Sequence, residues 1–272
     1  MSGRQMKKRL DSLLVERGIA GSRQKANAFI ICGNILVNGE KIRKPAARVN
    51  DDVHIDYHLI NKGYVGRGGI KLEGALEDFH VDVMDAFCLD IGASTGGFTD
   101  CLIKRGARRV VALDVGKNQI DYRIRRDSRV SVVEGFNARF IDRYITNEHI
   151  DIVTIDVSFI SLRLIVAPLL KIIDEATTVI PLIKPQFELG KPYRGFKGVV
   201  DDPILHINII KGLNEFFFSV GYNVVKYTKS KIQGPKGNVE YFALLRVESE
   251  EQEKNTGKLE HEIEKLVYGK IE

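Results

Sequence analysis

Residues 90 to 100 read Asp90-Ile91-Gly92-Ala93-Ser94-Thr95-Gly96-Gly97-Phe98-Thr99-Asp100, a carboxylate closing an apolar run, then a glycine-rich turn and the start of a helical pattern. Glycines in such a turn let backbone N–H groups approach a ligand at a helix N-terminus. Asp90 would repel a pyrophosphate there, and the glycine spacing fails the G-x-G-x-x-G pattern of dinucleotide sites. An adenosine-bearing cofactor without phosphate, carrying sulfonium and ammonium charges, suits the pocket better, which points to S-adenosylmethionine. Asp90, Gly92, Ser94, Gly96, Gly97 and Phe98 are its expected binding residues. The next apolar run, Arg109 to Asp114, ends in a second acid at the separation expected of a ribose-binding carboxylate, so Asp114 joins them.

Four further charged residues fall where one fold would gather them. Apolar, β-branched runs recur at Ala86–Asp90, Arg109–Asp114, Val130–Glu134, Ile150–Asp156 and Thr178–Ile183, separated by stretches long enough for crossover helices. The pattern predicts an α/β fold, a Rossmann-like doubly wound sheet of seven mostly parallel strands. Its last two strands, near Tyr222–Tyr227 and Val239–Val247, are joined by a loop as an antiparallel edge. Ligands in such sheets sit at the carboxyl ends of the parallel strands. Asp156 closes the fourth strand, Lys184 follows the fifth, and an antiparallel final strand brings Glu240 to the same edge. Lys71 lies on a helix defined by Ile70, Leu72, Ala75, Leu76 and Phe79, just before the first strand. Two lysines and two carboxylates are thus expected to face the cofactor's methyl group.

At 272 residues the chain is long enough for one large domain and a small accessory one. The division expected is 1–59, a linker at 60–69 rich in glycine, a catalytic domain at 70–247 and a charged tail at 248–272. Charge is distributed unevenly: residues 1–71 carry 14 Lys/Arg against 6 Asp/Glu, whereas residues 248–272 carry 4 against 8. A basic module on a near-neutral body suggests a polyanionic substrate. No apolar run approaches the ~18–20 residues that span a bilayer, and the basic start leads into an amphipathic segment instead of a signal-peptide core. A cytoplasmic location, with no membrane partner, is the expectation. Cys32, Cys88 and Cys101 are odd in number and widely spaced, and the six histidines show no zinc spacing, so neither disulfides nor a metal are expected.

In the basic module, Leu10, Leu13, Leu14 and Val15 form a helical stripe ended by Gly18, and Ser22 caps a second helix bearing Ala26, Phe29 and Ile30 and closed by Gly33. Ile35-Leu36-Val37, Asn38-Gly39 and Glu40-Lys41-Ile42 read as a hairpin with a type I′ turn. Arg-Leu-Asp at 9–11, Ser-Arg at 22–23, Val37-Asn38-Gly39 and Lys44-Pro45 resemble the S4-like RNA-binding domain, over about residues 8–57. The resemblance implies contacts to structured RNA through phosphates and shape. Arg9, Arg23, Lys25, Lys41, Arg43, Lys44 and, further on, Arg67 are the residues expected to make them.

From about residue 8 to 247 the chain resembles the TlyA-like hemolysin A family of ribosomal RNA 2′-O-methyltransferases, whose catalytic domain is FtsJ-like. The stretches that carry it are 67–72, the Asp90 loop, 154–162, Lys184-Pro185-Gln186-Phe187-Glu188 and 234–240; Gly66, where relatives often have Ser, and residues 191–197 depart from it. The resemblance implies that Lys71, Asp156, Lys184 and Glu240 form a catalytic tetrad, and that ribosomal RNA or ribosomal subunits are the substrate, with cytidines in the 16S or 23S RNA as the target. A ribose hydroxyl is a weak nucleophile, so its proton must leave as it attacks the sulfonium methyl. Lys184 is expected to accept or steer that proton, Lys71 to polarise or position the ribose, and the two acids to orient the lysines. The rival readings are a membrane-active hemolysin, an RNA-binding protein with an inactive methyltransferase fold, and a base methyltransferase. The acidic tail, with its stripe of Leu259, Ile263, Leu266 and Val267, reads as a frayed solvated helix, with a docking segment as the alternative.

Overall fold

The computed structural model describes residues 7–20, 22–31, 35–57, 63–144, 148–190, 196–248 and 256–269. Cys32, Gly33 and residues 191–195 lie outside the described residues, as do the side chains of Lys25 and Leu259. The chain divides into two units, residues 1–62 and 63–272.

In the first unit the order is β1 (Lys7–Arg9), α1 (Leu10–Glu16), α2 (Arg23–Ile31), β2 (Ile35–Val37), β3 (Glu40–Lys41), β4 (Arg48–Asn50) and β5 (Ile55–Tyr57). Leu10, Leu13, Leu14, Ala26, Ile30, Ile35, Val37 and Ile55 are buried together, so the two helical stripes and the alternate hairpin residues share one small core. Asn38 and Gly39 both adopt positive φ, 51° and 83°, as the type I′ turn requires. β2 is flanked by β3 and β5, and β1 pairs antiparallel with β4. These strands of two or three residues are too short to give a period in the sequence.

The second unit runs α3 (Arg67–Phe79), β6 (Phe87–Ile91), α4 (Gly97–Lys104), β7 (Arg109–Asp114), α5 (Tyr122–Arg125) and β8 (Val130–Glu134). After a 3₁₀ turn at Ala138–Arg143 come β9 (Ile152–Ile155), α6 (Arg163–Leu169), β10 (Thr178–Ile183), α7 (Pro185–Glu188), α8 (Pro203–Ser219), β11 (Tyr222–Lys229), β12 (Tyr241–Val247) and α9 (Thr256–Tyr268). Seven strands form one sheet in the order β11-β12-β10-β9-β6-β7-β8. β12 alone runs against its neighbours, inserted between β10 and β11. Phe87, Leu89 and Ile91 of β6 pack with α6 and α8 on one face, while Cys88 shares the other with Leu72 and Leu76 of α3 and Leu102 of α4. The two buried thiols, Cys88 and Cys101, are free and pushed up by burial, so they act as small apolar groups.

Two expectations about element boundaries change. α3 begins at Arg67, so residues 67–69 are helix and not linker. Their glycines serve close packing: a Cβ on Gly97 would meet the Gly69 nitrogen at 3.0 Å and the Gly68 Cα at 3.2 Å, so the first turns of α3 and α4 meet backbone to backbone. The helix expected to fray in solvent, α9, docks instead. Ile263 of α9 is fully buried in the sheet's core, Leu266 and Val267 pack against it, and Lys211 of α8 pairs with Glu264 at 2.9 Å. An amphipathic stripe shows in sequence, but the apolar face of α8 that receives it does not.

Candidate active site

β9 and β10 are parallel neighbours in the register Pro181↔Ile155, so the residues that follow them emerge at the same sheet edge. There Lys184 Nζ lies 2.5 Å from Asp156 Oδ1 and donates to Ser158 Oγ at 2.9 Å. The reversed direction of β12 places Glu240, just before its first residue, at that edge too, and Lys71 reaches it from α3 with Nζ 2.5 Å from Oε2. A Cβ on Gly234 would stand 2.5 Å from Glu240 Oε1, so this glycine leaves room for the carboxylate. Lys71, Lys184 and Glu240 are all less than a tenth exposed. Burying ions is stable only with a partner in good geometry; Lys71 hydrogen-bonds Glu240, whereas Lys184 faces Asp156 Oδ1 at ion-pair distance and gives its hydrogen bond to Ser158.

Both pairs line one cavity of about 750 Å³, together with Arg67, Gly68, Gly92, Ser94, Gly97, Phe98 and Asn238. A second cavity of about 520 Å³ is lined by Asp114, Gln119, Phe136, Asn137 and Ile165. Gly92, Ser94, Asp156, Ser158 and Phe159 line both, so the cavities meet beside the Lys184–Asp156 pair. Gly92 has φ +86°, and a Cβ there would come 2.6 Å from the Asp156 carbonyl oxygen, so only glycine lets the loop pass this close to β9's end. The Asp114 carboxylate accepts from the N–H of Ser94 at 2.7 Å and of Gly116 at 2.6 Å, tying the loop to the end of β7.

Two of the expected cofactor residues do not face either cavity. Asp90 is fully buried inside β6 and accepts from the hydroxyls of Thr99, at 2.6 Å, and Thr154, at 3.0 Å. Burial pushes its carboxyl up to about 7, against those two hydrogen bonds and with the Asp156 charge adding to the rise. It lies one residue inside the strand end, on the face covered by α4, so it braces the loop from beneath. Gly96 has φ +91° and packs against Ile124; its place is in the turn, away from the cavities. Gly92, Ser94, Gly97, Phe98 and Asp114 do line a cavity wall.

Sequence reasoning passed over several wall residues. Phe159 is 90 % exposed at φ +62°, with its ring 4.9 Å from that of Phe187, and Phe196 lines the same cavity. The segment that carries Phe159 is pinned by Glu188, which accepts from Ser161 Oγ at 2.6 Å and Leu162 N–H at 2.7 Å; burial raises its carboxyl. An aromatic directly after Asp156-Val-Ser was the available signal.

Arg67 lines the first cavity and donates to the Gln233 carbonyl oxygen at 2.9 Å. In the first unit, Arg9 and Arg23 converge on Asp11, which is fully buried: Arg9 Nη2 is 2.7 Å and Arg23 Nε 3.2 Å from Oδ2. The Arg9 guanidinium, with that of Arg23, holds the Asp11 carboxyl well below the usual range. Both arginines keep about half of their surface in solvent. Lys41, Arg43 and Lys44 are exposed along the hairpin and the segment after it. The chain places no three potential metal ligands together among the described residues, and no described helix is long and apolar enough to cross a membrane.

A seven-stranded sheet of this order, with a glycine-rich turn after its central strand and a charged cleft at the carboxyl edge, defines a methyltransferase fold. Residues 64–247 match the FtsJ-like methyltransferase family and residues 8–55 the S4 domain. The chain is 41 % identical over 243 residues to the 16S/23S rRNA (cytidine-2′-O)-methyltransferase TlyA of Mycobacterium tuberculosis, covering 89 % of this chain and 91 % of that protein. It is 42 % identical over 236 residues to Hemolysin A of Brachyspira hyodysenteriae, covering 86 % and 98 %. A solved structure from Streptococcus thermophilus superposes with a TM-score of 0.72 at 35 % identity, over 96 % of this chain and 95 % of that one. The chain belongs to the TlyA and hemolysin A family of FtsJ-like methyltransferases, with an S4 domain ahead of the catalytic domain.

Proposed function

We propose that this protein transfers the methyl group of S-adenosylmethionine to a ribose 2′-hydroxyl of ribosomal RNA. The observation that carries the reading is the meeting of the two Lys–carboxylate pairs, each at 2.5 Å, with the glycine loop at the junction of two cavities. The second cavity suits an adenosine: Phe136, Leu113 and Ile165 offer an apolar slot, Asn137 an amide, and Asp114 a carboxylate for ribose hydroxyls. When bound, S-adenosylmethionine supplies an activated methyl whose leaving group is a neutral thioether, so the chemistry asks the protein only for positioning and proton removal.

Lys184, held by Asp156 and Ser158 beside the junction, takes or steers the hydroxyl proton. Lys71, enclosed with Glu240, donates to the ribose and fixes its face toward the methyl. Phe159 and Phe187 give an exposed aromatic rim on which an unstacked base rests, as suits recognition of single-stranded RNA. In the first unit Arg9, Arg23, Lys25 and the exposed Lys41, Arg43 and Lys44 contact phosphates, and Arg67 does so from the cavity lining. The linker between binding and transfer units ends before Arg67. A ribosomal substrate places the protein in the cytoplasm.

The test is nucleoside mass spectrometry on ribosomal RNA and subunits incubated with the pure protein and isotopically labelled S-adenosylmethionine. A labelled 2′-O-methylcytidine, mapped to 16S or 23S RNA, is the expected product. Label on a base would remove the tetrad from its role, and no label on any ribosomal substrate would overturn the reading.

A further inference from the structure

One buried imidazole stands behind the cavity wall outside the four charged residues. His206, in the first turn of α8, is 4 % exposed. Its Nε2 is 2.8 Å from the Val200 carbonyl oxygen, and its Nδ1 is 2.9 Å from the Tyr241 hydroxyl. A carbonyl oxygen only accepts, so Nε2 carries a hydrogen. With the hydrogen on Nε2, the Nδ1 of the neutral imidazole is the acceptor for the Tyr241 hydroxyl. The circuit then closes on itself. Val200 N–H donates to Asn238 Oδ1 at 3.1 Å, and Asn238 Nδ2 donates to the Gly198 carbonyl oxygen at 2.8 Å.

Residues 198–200 are therefore fastened on both sides of Glu240: to Asn238 directly, and to Tyr241 through His206. Asn238 and Tyr241 are themselves buried, at 3 % and 1 % exposure, so neither has solvent as an alternative partner. Gly198 from the fastened segment, and Lys236, Asn238 and Glu240 from the strand entry, line the same cavity. We propose that His206 is a positioning residue for methyl transfer, setting the acceptor wall of the cavity by tying residues 198–200 to the strand entry that carries Glu240. The inference rests on the role given above to Lys71, Asp156, Lys184 and Glu240. Among the described residues the circuit's hydrogen bonds join Gly198, Val200, His206, Asn238 and Tyr241 and none of Gly92, Ser94, Gly97 or Asp114, so cofactor affinity and acceptor turnover are expected to separate in its variants.

A histidine held only for its volume is replaceable by phenylalanine, whereas one held for its bonds is not. In the full-length protein, His206→Phe is expected to lower kcat/KM for the RNA by about 10²-fold, the scale of a 1 Å misplacement of reacting groups. Cofactor affinity by calorimetry stays within about twofold. His206→Gln, whose amide N–H reaches toward the Val200 carbonyl, recovers at least about tenfold of the loss. Wild-type kcat and KM in His206→Phe overturn the proposal, whatever happens to its melting temperature, as does a glutamine variant no better than phenylalanine. Should His206→Phe not fold, Tyr241→Phe removes a single hydroxyl; kcat down by about five- to tenfold at unchanged cofactor affinity supports the circuit, and unchanged kinetics overturn it. Lys184→Ala run in parallel keeps the two readings apart: turnover retained there defeats the tetrad assignment, independently of the His206 series.

Discussion

On the side of the cleft proposed to hold the acceptor, side chains shape the wall and come in matched charges: Lys71 with Glu240, Lys184 with Asp156. On the loop side the backbone does it, through Gly92 passing against the Asp156 carbonyl and the Ser94 and Gly116 N–H groups gripping Asp114. The difference teaches where each kind of damage shows. Truncating Lys71 leaves the buried Glu240, and truncating Lys184 the part-exposed Asp156, without its counter-ion, while the bonds that hold the glycine loop stay in place. Removing Asp114 frees the loop but leaves both ion pairs whole.

The largest effect that sharpens this contrast is expected from Lys184→Ala, with kcat down by about 10³-fold or more and cofactor affinity nearly unchanged by calorimetry. Loss of cofactor binding in that variant would break the separation of the two walls. Next in size, Asp114→Ala is expected to weaken cofactor binding by about 10- to 100-fold, since two backbone N–H groups lose a charged acceptor, while RNA affinity in a filter-binding assay holds. The first unit offers an outside reference in Lys41, Arg43 and Lys44, whose side chains are exposed. Changing Lys41, Arg43 and Lys44 together to Gln should cost about tenfold in RNA affinity and flatten the salt dependence by roughly two in log–log slope, without altering cofactor affinity; an unchanged slope would take those three residues off the phosphates.

The smallest expected effect concerns Asp90, beneath the loop. Its carboxyl sits near 7 in the folded protein against an ordinary 3.8. A raised acid contributes stability that is complete below about pH 4 and lost as pH rises through 7, because the folded state holds the proton that the unfolded chain has released. Asp90→Asn carries no charge, so its urea midpoint relative to the parent is expected to climb between pH 5 and pH 8. Parallel midpoints across that range would show that Asp90 is comfortably ionised and that the brace beneath the loop is of another kind.

Asp90 and Asp114 also mark how far the sequence could be read. Both close apolar runs and look alike, yet the register pairs Asp90 with Ala112, a full pleat below Asp114. A shift of two residues along a strand separates an acid under a helix from one on a cavity wall, and no local pattern records it. The tetrad was legible because strand ends converge at one sheet edge in this topology, and the antiparallel last strand carries Glu240 there. Ser158, Phe159 and His206 were not, since their places depend on a turn at positive φ, or on a circuit of bonds spanning 35 to 40 positions. The docking of α9 escaped for a related reason: amphipathicity announces a face but not its partner.

The reversed insertion of β12 has a consequence in time. Lys71 waits for a partner 169 residues further along the chain, and the strand that delivers it fills a gap between two strands made earlier. The first unit, closed by its own core before residue 62, needs none of this. At synthesis rates of about 5–20 residues per second, roughly ten to forty seconds separate the emergence of the two units. During that interval the growing chain owns a finished, basic RNA-binding head and a catalytic half whose first lysine has no counter-charge. The charge pair of Lys71 is therefore completed only when β12 takes its place in the sheet.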